Sequence, residues 1–147
     1  MDIEFISPEF EHLKSPYYDD FSFQHVDIIN IHNGEIILAS DFQGKFLQVV
    51  WDALIEFEYD YSKRKIKQYG KRNFYTLELK DKNLHIEKEE EVIVVIPYDE
   101  FYFAYYQATK NYLIYVKREN ARIVLEDCFQ QLAASCSYYE RKFALNE

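Results

Sequence analysis

Between residues 25 and 40 the chain reads HVDIINIHNGEIILAS, and this stretch restricts the fold more than any other. Two runs rich in β-branched residues, 25–31 and 35–40, flank the pair Asn33-Gly34. Asn-Gly tolerates positive φ at both central positions of a type I′ turn, the turn whose twist matches that of paired strands. The pattern predicts a β-hairpin, so an antiparallel sheet must be part of the fold.

A helix is predicted next. Phe46, Val50, Leu54, Phe57 and Tyr61 fall at i, i+4, i+8, i+11 and i+15, which makes one apolar stripe. Ser40 or Asp41 is placed to cap it. From Ile55 onward Ile55, Phe57, Tyr59 and Tyr61 alternate with Glu56, Glu58 and Asp60, the period of a strand. Helix and strand therefore both stay open for residues 55–69. Residues 73–79, 84–89 and 91–97 read as a meander. The run 92–96 is apolar throughout, which predicts an interior strand covered on both faces and ended by Pro97.

Residues 98–111 are expected to be helical, although their aromatics keep a strand possible. Residues 112–118 are expected as a strand. A C-terminal helix follows, with Ile123, Cys128 or Phe129, Leu132, Cys136 and Tyr139 on one face. Residues 1–24 read as irregular around Pro8 and Pro16, apart from a short element near residues 2–7. The expected fold is a single α+β domain over 1–147: one mainly antiparallel sheet, built from the N-terminal hairpin and the central meander, packed with about three helices.

The sequence excludes several chemistries. Its only glycines are Gly34, Gly44 and Gly70, so no phosphate-binding glycine loop and no GxSxG turn can be built. His12, His25, His32 and His85 have no zinc-ligand spacing. Cys128 and Cys136 are eight helical residues apart, about 12 Å, too far for a disulfide. They are expected as reduced thiols on an apolar helix face, which predicts a cytoplasmic setting. No signal segment or membrane-spanning run is visible. No catalytic residue, metal or cofactor is predicted.

Charge carries the functional expectation. The net charge is −9, and residues 1–60 hold thirteen acids against two bases. Such acidity repels nucleic acid and membranes and attracts a basic partner. On a helix, Asp52, Glu56 and Asp60 would recur every four residues beside Tyr59, a stripe that gains little within the chain and more against a cationic partner. Tyr17, Tyr18, Asp19 and Asp20 repeat this pairing of aromatic anchors with acids. A second candidate surface is basic: Lys63, Arg64, Lys65, Lys67, Lys71 and Arg72, interleaved with rings, suit phosphates and bases.

In acidity, size and aromatic content, with 14 Tyr and 12 Phe, the chain resembles the immunity proteins that neutralise bacterial toxins. No motif or definable stretch carries the likeness. It implies a protein-binding inhibitor that occludes a basic partner such as a toxin nuclease. The alternatives are a nucleic-acid-associated accessory protein using 63–72, an enzyme with a dispersed site, or a structural subunit of a larger assembly.

Overall fold

The structure, a computed structural model, describes residues 1–7, 24–69 and 73–144. Among these residues two antiparallel sheets and three α-helices form an α+β fold. The first sheet has the order β1-β2-β3, with β1 Ile3–Ile6, β2 Val26–Asn30 and β3 Ile36–Ser40. The second has the order β4-β5-β6-β7, with β4 Lys63–Lys67, β5 Phe74–Lys80, β6 Asn83–Lys88 and β7 Glu91–Pro97. The helices are α1 Gln43–Glu56, α2 Tyr98–Glu119 and α3 Asp127–Lys142. Hairpin and meander are thus where the sequence places them; the C-terminal helix begins only at Asp127, and Ile123, expected on its face, lies in a preceding 3-10 turn over Ala121–Leu125. There are two sheets, however, where one was expected, because α1 leaves β3 before another strand can pair with it. The sheets meet at a corner, where the Ala39 N–H donates to the Tyr75 hydroxyl (3.1 Å) and the Asp41 N–H to the Tyr69 carbonyl (3.2 Å).

Turn chemistry departs from expectation. Only Gly34 of the Asn33-Gly34 pair takes positive φ, at 73°. The hairpin closes by a wider loop in which Gly34 N–H donates to the Asn30 carbonyl (2.8 Å) and the Asn33 side chain accepts from Glu35 N–H (2.9 Å). The two-residue turns with both φ positive are Asp81-Lys82 (51° and 67°) and Glu89-Glu90 (52° and 68°). The helix cap differs too. Phe42, with left-handed φ of 55°, precedes α1 without a side-chain bond. Ser40 accepts from the Tyr69 N–H instead (2.8 Å), and Asp41 binds His25.

Helix α1 lies at the centre, with Phe46, Leu47, Val50, Trp51, Ala53 and Leu54 all fully buried. Helix α2 packs on β1 through Tyr105 and Tyr112, whose rings lie 5.1 and 5.6 Å from Phe5. Helix α3 closes the core by laying Tyr139 against Tyr102 and Tyr106, at 4.8 and 4.5 Å. Two of the fully buried or nearly buried tyrosines reach polar partners: Tyr105 donates to the Leu47 carbonyl (2.7 Å) and Tyr112 to Gln43 Oε1 (2.6 Å), whereas the Tyr102 hydroxyl finds none among the described residues. Rings with a polar tip can therefore fill a core that would otherwise need aliphatics.

Two elements correct the sequence. Residues 112–118 are not a strand but the second half of α2, since the buried positions Tyr105, Ala108, Tyr112 and Val116 keep helical spacing across them. Strand β7 is not interior but an edge, with Val92 48%, Ile93 41% and Val95 54% exposed. The open choice at 55–69 resolves as both elements: α1 ends at Glu56, a 3-10 turn spans Phe57–Tyr59, and β4 follows.

Candidate interaction surface

The expected acidic stripe is not continuous. Asp52 accepts from the Gln48 side-chain amide (3.0 Å) and lines a groove of about 500 Å³ with Glu126 and Asp127 at the start of α3. Glu56 forms an ion pair with Arg64 of β4. Asp60 lies beyond the helix, with left-handed φ of 70°, and so leaves the i+4 row. Tyr59 is exposed, its hydroxyl 3.1 Å from that of Tyr138. Tyr17, Tyr18, Asp19 and Asp20 lie outside the described residues, as do Lys71 and Arg72.

The basic segment is strand β4, and it is divided by the strand period. Arg64 and Ile66 point inward, Ile66 fully buried, while Lys63, Lys65 and Lys67 share the outer face. That face also carries acids. Lys63 sits opposite Glu78, at 3.9 Å, and Thr76 lies between Lys65 and Glu87. Phe74, the exposed ring beside them, is covered by Lys65 Nζ at 4.3 Å from its centroid.

One acid that the sequence does not single out is structural. The Glu58 side chain is only 7% exposed, and one of its oxygens accepts from Tyr138 (2.7 Å) and from Lys142 Nζ (2.7 Å). Burial first, then this carboxylate, push the Tyr102 hydroxyl well above its ordinary range. No local pattern announces Glu58, because its partners come from α3.

The Cys136 thiol is unsuited to nucleophilic work. Burial, with Glu140 adding to it, pushes Cys136 up to about 12, so its thiolate is scarce at neutral pH. Cys128 is half-buried and packs against α1 at Gly44, where an added Cβ would lie 2.7 Å from its Cβ. His25 has more unusual surroundings: Nδ1 is 2.9 Å from Asp41 and Nε2 2.8 Å from Asp27. Carboxylates at both nitrogens favour the doubly protonated ring. Burial opposes that charge, but the two carboxylates outweigh it and raise the pKa above 6.5. Among the described residues no cluster of three or more His, Cys, Asp or Glu is placed to hold a metal ion. No described helix is long and apolar enough to cross a membrane.

Among the described residues the outer edge of β7 exposes a run of aliphatic side chains. Ile86 pairs with Val94 and Glu87 with Val92, so a bulge sets Val92 and Ile93 together against Glu87. A bulge of this kind breaks the alternation of faces. Val92, Ile93 and Val95 therefore all reach solvent, and among the described residues no strand pairs with the far side of β7. Glu89, Glu90 and Glu91 precede this apolar stretch, and Asp99 and Glu100 follow it. Sequence missed the surface because an all-apolar run reads the same for a central strand as for an exposed edge.

Comparison with protein-family models, with curated proteins and with solved structures gives no match.

Proposed function

We propose that this chain acts by binding another protein, as an immunity-type inhibitor that occludes a basic partner without performing chemistry on it. The observation that supports this is the β7 edge: three aliphatic side chains, each more than two-fifths exposed, bracketed by five carboxylates. A monomer gains nothing from leaving such an edge open, since unpaired apolar strands invite aggregation. A partner that covers it gains apolar contact, and cations around that contact would meet the acidic rim. Asp52 and Asp60 then contribute through their long-range field more than through a formed stripe, Glu56 being paired with Arg64, and exposed Tyr59 contributes by contact.

The nucleic-acid reading is weaker on this geometry. Lys63 and Lys65 share their face with Glu78 and Glu87, and Phe74, the ring placed to stack on a base, is already covered by Lys65.

A photo-cross-linking residue at position 95, introduced in cells that express the chain, tests the proposal. The expected product is a stoichiometric adduct with a basic protein that survives nuclease treatment. A nucleic-acid adduct, or no adduct, would count against it.

A further inference from the structure

Resting on that protein-binding reading, we infer that β7 receives a segment of the partner as a fifth strand of the second sheet. We further infer that this segment has a β-branched or apolar centre of about five residues with Lys or Arg at both ends. The two edges of the sheet are finished differently. Strand β4 carries Lys63, Lys65 and Lys67 on its outer face, the usual protection against strand addition. Strand β7 carries no cation from Glu91 to Pro97, and its outward residues are Val92, Ile93 and Val95. Strand addition supplies affinity from main-chain hydrogen bonds and selectivity from alternate side chains, and this edge offers both.

The flanks specify charge. Residues 92–96 span about 17 Å at 3.4 Å per residue, with Glu89, Glu90 and Glu91 at one end and Asp99 and Glu100 just past the other. Asp99 and Glu100 sit in the first turn of α2, where acids complement the helix dipole. Glu89 and Glu90 have no such compensation. They occupy a turn with φ of 52° and 68°, a conformation that disfavours glutamate, and make no ion pair among the described residues. They also disfavour a second copy of β7 as the occupant, because antiparallel self-pairing would set the Glu89–Glu91 end of each copy beside Asp99 and Glu100 of the other.

The test uses the full chain and the blocked nonapeptide Lys-Lys-Val-Thr-Val-Thr-Val-Lys-Lys, followed by fluorescence anisotropy at low salt. Saturable binding is expected, weakened roughly tenfold or more when the four lysines become glutamates. Binding is expected to be lost when alternate peptide nitrogens are methylated, and lost for Val95→Lys and Ile93→Lys chains. Both side chains lie in solvent, so circular dichroism and thermal midpoint should stay near wild type. Undiminished binding of the methylated peptide, or of the peptide to Val95→Lys, would overturn strand addition at β7. A concentration-dependent dimer abolished by Val95→Lys would overturn the choice of occupant. If no peptide binds but a basic protein still cross-links at position 95, strand addition falls and the protein-binding reading survives. If neither occurs, both fall.

Discussion

Thr109 sits between two elements and satisfies both. Its hydroxyl accepts from Trp51 Nε1 (3.0 Å) and donates to the Tyr105 carbonyl (2.8 Å), all fully buried. Thr109→Val keeps the shape but leaves the indole N–H without an acceptor, and an unsatisfied buried donor costs about 1–3 kcal/mol. A fall of that size in unfolding free energy from urea denaturation is expected; an unchanged midpoint would mean that the indole finds another acceptor. His25 supplies a pH dependence. Its pKa is raised by Asp27 and Asp41 against the opposing effect of burial, so its contribution is complete below about 6.5 and lost as pH rises through the higher folded value. Nuclear magnetic resonance titration should place His25 above 6.5. The stability difference between wild type and His25→Gln should shrink from pH 5.5 to pH 8.5; a difference that grew would reverse the sign. Neither Thr109 nor His25 was legible in the sequence, because their partners are distant in the chain or, for Asp27, two residues away with nothing to mark the pairing.

Elements were legible where one periodicity ran uncontested. The hairpin strands, the meander and the buried stripe Phe46, Val50, Leu54 and Phe57 lie as their spacing predicts, but Tyr61, the fifth member of that row, lies beyond the helix and is exposed. Errors came where propensity opposed context. The β-branched and aromatic residues of 112–118 favour a strand, but no Gly or Pro interrupts the helical row from Tyr105 to Val116, and packing against β1 decides the outcome. Turns failed in the opposite direction: Asn33-Gly34 sits in a wider loop, while Glu89-Glu90 adopts the left-handed pair that Asn-Gly would fill at less cost. Replacing Glu89-Glu90 by Asn-Gly is therefore expected to raise stability by about 1–2 kcal/mol while weakening association with the basic nonapeptide. A more stable chain with unaltered binding would remove these glutamates from the site. Gly44 lies where α1 approaches α3 closely. Its missing Cβ would meet Cys128 Cβ and Sγ at 2.7 and 2.8 Å, so Gly44→Ala should destabilise by about 1–3 kcal/mol in the same denaturation assay.

Across the whole molecule, the uneven charge of the sequence is partly compensated. Arg64 and Lys142, both from the basic half, pair with Glu56 and Glu58 of the acidic half. This dissolves the stripe that the helical spacing of Asp52, Glu56 and Asp60 suggested, and among the described residues the edge strand β7 exposes three aliphatic side chains. The candidate surface was hidden in the sequence for a physical reason. Hydrophobicity reports that a strand will be covered, not whether the cover is the chain itself. Hydrogen exchange at the β7 amides, with and without the basic nonapeptide, tests the central claim most directly. In the free chain the N–H groups of residues 92–96 that face away from β6 should exchange rapidly while their inward neighbours are protected, and the peptide should protect the outward set. Protection appearing instead on β4 or in the Asp52 groove, with β7 unchanged, would contradict the account.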